Sequence, residues 1–288
     1  MKKIIKKIFE GFTHFLGRIT GKYYFEDYVR VYPGGARFNK IGKRVKTTQN
    51  DINNYLNHTK FYGFASQFVQ GKKVADVGCG SGYGCEILKK AGAVYVHGYD
   101  VSKASINFAT SHYSKEISDF SIASITDMKI VKDNSYDIVV NSEVMEHIKE
   151  YENMEYKAIE ELKRITASNG LIIVATPNTE MFPDHGFSYE EINKLFSTNF
   201  KEYCIFENAL FPLSGNEGEL WKQRLANGKT GVIISEAINF DETDKLSGSV
   251  SDVKVGIPAG TYSFANFMVN TTLLHNTHSW VVLAINNK

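Results

Sequence analysis

The amino-acid sequence predicts a doubly wound α/β fold built on a mainly parallel sheet. From about residue 52 to residue 206, short apolar runs rich in β-branched residues alternate with stretches of helical periodicity. Such alternation is typical of βαβ units, in which helices cover both faces of a parallel sheet. The chain has 288 residues, 43% hydrophobic and 23% charged, so it is long enough for one large domain with appendages.

Seven strands and six helices are predicted in this region and towards the end of the chain. The predicted strands are 73–77, 94–99, about 119–123, 136–140, 171–176, 201–211 and 279–288. The predicted helices are 52–69, 83–90, 103–112, 143–149, 153–166 and 187–200. Gly71 is expected to end the first helix and Gly92 the second. The pair Asn169 and Gly170 is expected to end the fifth helix.

The predicted domain organisation places a core at residues 51–213 between two less regular segments. Residues 1–50 form an N-terminal extension that begins with a helix. Residues 214–260 are rich in glycine and polar residues, and a connection of about 45 residues is too long for a hairpin turn, so we predict an insertion. Residues 261–288 then return to the core as its closing strand.

The N-terminal 22 residues have the pattern of a basic amphipathic helix. Isoleucine and phenylalanine recur at helical spacing, with lysines and an arginine between them. One interpretation is a helix that lies on an anionic membrane surface, which would make the protein a peripheral membrane protein. The other is a helix that packs on its own domain or on the partner in a homodimer. No run of the chain approaches the 18 apolar residues of a membrane-spanning helix.

The net charge and the cysteine content indicate which binding partners and which cellular compartment to expect. The formal net charge is +1, so no strong positive field favours a nucleic-acid partner. The three cysteines are an odd number without metal-type pairing. Free thiols of this kind indicate a reducing compartment, and we expect a cytoplasmic protein.

The stretch VADVGCGSGYG at residues 74–84 predicts a ligand-binding loop between a strand and a helix. Its glycines do not follow the i, i+2, i+5 spacing of dinucleotide-binding loops, which would require glycine at Tyr83 or Cys85. The carboxylate of Asp76 beside the loop disfavours a pyrophosphate and favours a cationic ligand. S-adenosylmethionine, which carries an ammonium and a sulfonium group, suits such a loop.

Two further acidic residues follow the next predicted strands. Asp100 ends the strand HGYD, where its carboxylate is expected to accept both hydroxyl groups of a ribose. Asp127, in SITDM after the following strand, is expected to accept a hydrogen bond from the adenine amino group.

Five motifs in order resemble those of class I S-adenosylmethionine-dependent methyltransferases, over about residues 52–206. These motifs are VADVGCGSGYG, YD, ITDM, YDIVVNSEVMEHI and GLIIVATPN. The resemblance implies a Rossmann-like sheet of seven strands whose last strand is antiparallel, with S-adenosylmethionine as cofactor. It assigns Asp76, Gly78, Gly80 and Gly82 to the methionine end, Asp100 to the ribose, Asp127 and Ile125 to the adenine, and Asn141 to the underside of the methionine portion.

Transfer of a methyl group to a hydroxyl requires that the hydroxyl lose its proton to a positioned base. His147, after the fourth strand of the core, is the first candidate base, and His185, after the fifth, is the second. Glu143 completes the candidate catalytic set. Together with Glu146, these residues also resemble the metal-binding set of small-RNA 2′-O-methyltransferases. Glutamates near a helix start more often serve the helix dipole, however, so no metal is predicted.

A second resemblance concerns the acceptor. The stretches VYPGG at 31–35 and NHTKFYGFA at 57–65 are similar to bacterial methyltransferases of surface-polysaccharide and sugar clusters, although Phe61 stands where those proteins often have arginine. The resemblance implies a sugar hydroxyl, free, carrier-linked or in a glycan. The alternatives are a lipid or quinone O-methyltransferase at the membrane surface, and a non-catalytic subunit that scaffolds a glycan-assembly complex.

Overall fold

The computed structural model describes residues 29–38, 44–113, 116–209 and 277–288. The predicted N-terminal helix and the predicted insertion at 214–260 lie outside these ranges. Among the helices that are described, none is both long and apolar enough to cross a membrane.

One sheet of seven strands organises the described chain. The strands are β3 (Lys73–Val77), β4 (Tyr95–Asp100), β5 (Asp119–Ile122), β6 (Tyr136–Ser142), β7 (Thr166–Pro177), β8 (Tyr203–Ala209) and β9 (Thr277–Ile285); β1 (Arg37–Phe38) and β2 (Arg44–Val45) form a separate pair. The seven strands lie in the order β5-β4-β3-β6-β7-β9-β8. Neighbours from β5 to β7 are parallel, whereas β9 is antiparallel to both β7 and β8. The predicted doubly wound sheet with an antiparallel last strand is therefore confirmed.

Helices cover both faces of this sheet, as the alternating pattern predicts. They are α1 (Gln49–Ala65), α2 (Tyr83–Lys90), α3 (Lys103–His112), α4 (Met145–Glu152), α5 (Glu155–Ile165) and α6 (Tyr189–Asn199). The first three contribute to one apolar core and the last three to the other. Alternation along the strands serves both cores, since Val139 points to the second and its neighbours Ile138 and Val140 point to the first.

Most predicted boundaries agree with the structure, and the clearest difference lies at β7. This strand begins at Thr166, five residues before the predicted start at 171. Thr166 pairs with Tyr136 and Leu171 with Ile138, so four residues of β7 face a single residue of β6. Asn169, in the middle of this bulge, has φ 59°. The asparagine predicted to end a helix therefore bends a strand.

Candidate active site

The glycine loop lies between β3 and α2 and follows a backbone path that glycine adopts readily and other residues rarely adopt. Gly78, Gly80 and Gly82 all have positive φ, between 52° and 86°. A Cβ atom on Gly78 would lie 2.3 Å from Cγ2 of Val144, whereas one on Gly80 would meet no atom within 4 Å. Gly78 therefore lets the loop approach α4 closely. Gly80 faces open space.

That space is a cavity of about 150 Å³ along the carboxyl edge of the sheet. Because β3 lies between β4 and β6, the glycine loop divides the lining residues into two groups. On the β4 and β5 side the lining includes Asp100, Val101, Ser102, Ser124 and Ile125. On the β6 side it includes Arg30, His58, Tyr62, Tyr83, Glu143 and His147.

Asp100 lies beside the glycine loop, as the motif order predicts. Its Oδ2 accepts a hydrogen bond from the backbone N–H of Gly80 at 2.8 Å, and its Oδ1 accepts one from the N–H of Ser102 at 2.8 Å. Both carboxylate oxygens are thus oriented by backbone groups. The same residue lines the cavity, so a ligand there meets a preorganised acceptor.

Asp76 lies beneath the loop and is not among the residues that line the cavity. Its side chain is fully buried. The Tyr62 hydroxyl donates to the Asp76 carboxylate at 3.1 Å, and the Cys85 thiol donates at 3.4 Å. Burial raises the pKa of Asp76 to about 7, although the hydrogen bonds from Cys85 and Tyr62 act in the opposite direction. Tyr62 thus lies between this carboxyl and the cavity.

This raised pKa predicts how the asparagine variant Asp76→Asn behaves in the ligand-free protein. The folded state keeps the Asp76 proton up to about pH 7, whereas an unfolded chain loses it near 3.8. Between these values the wild type therefore loses stability as pH rises, and the variant escapes that loss. Its advantage should grow by about 1.4 kcal/mol per pH unit and level off above pH 7. Urea unfolding of both proteins from pH 4 to pH 8 measures this, and a pH-independent difference would contradict it.

Three other residues assigned to the cofactor also lie outside the cavity lining. The carboxylate of Asp127 pairs with Lys129 at 3.2 Å. Gly82 is the N-cap residue of α2. Asn141 is fully buried, and its Nδ2 donates to the carbonyl of Val77 at 2.6 Å. This last contact ties the end of β6 to the end of β3, directly below the glycine loop.

Two glutamates follow β6, and Glu143 is half-buried whereas Glu146 is buried. Glu143, with φ 55°, lines the cavity and forms a side-chain hydrogen bond with Ser279. Glu146 is turned inward, where the Thr176 hydroxyl donates to its Oε2 at 3.0 Å. Burial raises the pKa of both carboxyls, and the charge of Glu143 raises that of Glu146 further. Both carboxyls therefore keep their protons to a higher pH than an ordinary carboxyl does.

His147 faces the cavity and contacts an arginine. Arg30 Nη1 donates to His147 Nε2 at 2.6 Å. Burial, and then the positive charge of Arg30 and the neighbouring His185, lower the pKa of His147 to about 3. His147 is therefore neutral at neutral pH, and its Nε2 already accepts a hydrogen bond.

His185 packs against His147 with ring centroids 5.2 Å apart but is not among the cavity-lining residues. Its Nδ1 is hydrogen-bonded to the Glu150 carboxylate at 3.0 Å. Glu146, His147 and His185 each offer a ligand atom within 4.8 Å of the other two. These are three of the four residues that resemble a metal-binding set in the sequence.

Sequence reasoning did not assign a site role to Arg30, His58, Tyr62 or Tyr83. His58 and Tyr62 stand one helical turn apart on α1, and this i, i+4 spacing is the one local signal that they share a face. Burial, and then the charge of His278, lower the pKa of His58 to about 4. No pattern near Arg30 indicates that it reaches a histidine 117 positions away.

Arg30 belongs to a segment that crosses the glycine loop, residues 29–36, which we call the N-terminal strap. The Ser81 hydroxyl donates to the carbonyl of Val31 at 2.7 Å. The ring of Tyr32 packs edge-on against Phe108 of α3, with centroids 5.0 Å apart. These contacts hold the strap over the cavity and place Arg30 at its wall.

Comparison with known proteins finds similarity to methyltransferases. Residues 75–174 match the family described as a methyltransferase domain. A Mycolicibacterium smegmatis protein named a probable S-adenosylmethionine-dependent methyltransferase is 26% identical over 159 residues, which cover 53% of this chain and 59% of that protein. The ubiquinone biosynthesis O-methyltransferase of Neisseria meningitidis is 32% identical over 83 residues, which cover 28% of this chain and 35% of the enzyme. In neither case does the match reach two thirds of the relative.

Solved structures extend the likeness in fold beyond the matched domain. A Haloferax volcanii protein, assigned as a methyltransferase and solved in complex with the Trm112 methyltransferase activator, superposes with a TM-score of 0.50 at 15% identity. The match covers 81% of this chain and 90% of that protein. The chain therefore matches a methyltransferase domain over residues 75–174 and has the Rossmann-like fold of this solved neighbour.

Proposed function

We propose that this protein transfers a methyl group from S-adenosylmethionine to a hydroxyl group, with a sugar as the first candidate acceptor. One observation supports this function above the others. A single cavity joins Asp100 and the glycine loop to Glu143 and His147, so a nucleoside-binding acid and a candidate base share one chamber.

The residues of the loop side fit the proposed cofactor. Asp100 presents an oriented carboxylate, and Gly80 leaves the loop surface open. Asn141 Oδ1 and Ser142 Oγ are buried and have no hydrogen-bond partner within the described part of the chain. Ser142 also lines the cavity. When bound, S-adenosylmethionine supplies a methyl group on a positively charged sulfur.

Glu143 is the better-suited base of the two cavity-lining candidates. A base works best when its pKa lies near the working pH, and burial raises the pKa of Glu143 towards that range. His147 has its pKa lowered to about 3, and Arg30 already donates to its Nε2. His147 acts as the base only if Arg30 first moves away. Glu143 therefore takes the hydroxyl proton in our proposal.

The polar lining of the cavity on the β6 side supports a sugar as the methyl acceptor. Arg30, His58, Glu143 and His147 line this part of the cavity together, so several hydroxyl groups of one ring find donors and acceptors within reach. The similarity of residues 31–35 and 57–65 to sugar-cluster methyltransferases supports the same acceptor.

A quinone-type phenol is the second candidate. It is favoured by relatives named ubiquinone biosynthesis O-methyltransferases, which are 31–33% identical over 81–111 residues. The basic pattern of residues 1–22 suits a substrate held in a membrane.

Peripheral membrane association is part of this second proposal. Changing Lys2, Lys3, Lys6 and Lys7 to glutamate in the full chain should abolish pelleting with anionic vesicles, because the basic charges that attract anionic lipid are reversed.

Two measurements test the proposed function in sequence. Calorimetry with S-adenosylhomocysteine should give saturable binding, whereas a non-catalytic scaffold with no cofactor site should give none. Transfer of labelled methyl from S-adenosylmethionine is then measured on nucleotide-linked sugars, surface glycans and quinols, with and without anionic vesicles. Labelling of a sugar supports the first candidate, and vesicle-dependent labelling of a quinol supports the second. Cofactor binding without labelling of any hydroxyl compound would count against both.

A further inference from the structure

The side chains of Glu146, His147 and His185 converge beside the cavity, and we propose that they bind a divalent transition-metal ion. Their ligand atoms lie within 4.8 Å of one another, and His147 Nε2 is 3.5 Å from Glu146 Oε1. Two imidazoles and one carboxylate form a donor set suited to ions such as Zn²⁺, Mn²⁺ or Fe²⁺. Ligand atoms around such an ion lie about 3.4 Å apart, so side-chain movements of about 1 Å close the site.

The hydrogen bonds around these residues already orient them as ligands. Both oxygens of Glu150 approach His185 Nδ1, at 3.0 and 3.2 Å, and the N–H of Gly186 donates to the same carboxylate at 2.9 Å. A carboxylate on Nδ1 holds the proton there and leaves Nε2 to bind a metal. Thr176 holds Oε2 of Glu146, so Oε1 is the oxygen that lies towards His147.

The charge and burial of this cluster also favour a cation. The side chain of Glu146 is 1% exposed and that of His147 is 20% exposed. Glu143, a second acid, raises the pKa of Glu146 through its charge. An ionised carboxylate in such surroundings is costly unless a positive charge accompanies it.

Arg30 already brings one positive charge to this position. Its Nη1 lies 2.6 Å from His147 Nε2, where a metal ion would have to bind. The guanidinium and a metal ion therefore exclude each other at His147. Because Arg30 is part of the N-terminal strap, metal binding should release this end of the strap from the cavity wall.

The catalytic consequence rests on the proposed function. A metal at this wall would bind the acceptor hydroxyl and lower its pKa. The hydroxyl proton passes to the carboxylate of Glu143, the oxygen forms a bond to the methyl carbon, and the carbon–sulfur bond breaks to leave S-adenosylhomocysteine. Metal binding itself requires neither the acceptor nor the transfer.

Titration with Co²⁺ tests the site directly. Untagged, chelator-treated full-length protein should bind one equivalent of Co²⁺, seen by its visible absorption, and Zn²⁺ should displace it. Glu146→Gln and His185→Gln should each lose more affinity than the roughly 10- to 100-fold typical of an outer-shell change, and Glu150→Gln should lose about that amount. Arg30→Ala should bind Co²⁺ about tenfold more tightly, the effect of removing one competing hydrogen bond to a charged group.

His112→Gln is the matched control, since His112 is exposed on α3 and its ring is hydrogen-bonded to the carbonyl of Phe108. It should bind Co²⁺ like the wild type. Thermal unfolding and S-adenosylhomocysteine binding show that each variant is folded. Wild type without Co²⁺ binding, or unchanged affinity in Glu146→Gln and His185→Gln, would overturn the site. Co²⁺ binding with this variant pattern but without methyl transfer would support the site and count against the proposed function alone.

Discussion

Replacing Asp100 by alanine should weaken S-adenosylhomocysteine binding by about 100-fold. The Asp100 carboxylate lines the cavity and is held by the N–H groups of Gly80 and Ser102. A hydrogen bond to a charged group contributes about 1.5–3 kcal/mol. Loss of two such bonds to a ribose costs about 3 kcal/mol or more, and each 1.4 kcal/mol is about tenfold in affinity. The glycine loop also loses the acceptor for Gly80. Calorimetry at neutral pH measures the change.

Asp133→Ala is the control for this variant. Asp133 is 67% exposed, pairs with Arg164 at 2.7 Å and is not among the cavity-lining residues. It should retain wild-type affinity. Asp100→Asn should lie between wild type and Asp100→Ala, because the amide keeps one acceptor oxygen and the size of the side chain. Undiminished affinity in a folded Asp100→Ala protein would remove the ribose role from this residue.

Replacing Glu143 by glutamine should lower kcat by about 10²- to 10³-fold once the acceptor is identified, within the range typical of general-base removal. Glutamine keeps the shape of the side chain and still hydrogen-bonds to Ser279, but it does not accept the hydroxyl proton. Binding of S-adenosylhomocysteine should change little. Single-turnover transfer rates and calorimetry separate these two effects.

The pH dependence gives an independent measure of the same role. A base must be ionised to act, so the wild-type rate should rise with pH through the pKa of Glu143, which burial lifts above the usual carboxyl range. Glu143→Gln should lose this rise. Glu160→Gln, an exposed substitution on α5, should keep both the rate and its pH dependence. A normal rate in Glu143→Gln would exclude Glu143 as the base and favour His147.

The fold was largely predictable because its signals are local. The predicted spans of β3, α2 and α3 agree with the observed ones, since each is set by apolar periodicity and by glycine or a capping residue at its ends. The start of β7 was not predictable. There Asn169 bends a strand whose pairing with β6 involves residues about 30 positions apart, and no local pattern records such pairing.

The candidate site was predictable to the level of strand ends and not to the level of side-chain direction. Asp100, Ile125, Glu143 and His147 line the cavity, as expected from their places after successive strands. Asp76 stands at the expected strand end, but its carboxyl points beneath the loop to Tyr62. A motif places a residue along the chain, whereas neighbouring elements decide which way the side chain turns.

Local sequence determined some features of this protein, and tertiary packing determined others. The amino-acid order alone determined the α/β class, the glycine loop and the acid that ends β4, because hydrophobic periodicity, glycine and strand ends act within a few residues. Only the tertiary structure brought Arg30 to His147 and His185 to Glu150, across separations of 117 and 35 positions. Those contacts depend on the packing of the N-terminal strap and on the path of the chain after β7, which are settled only when the whole sheet is assembled.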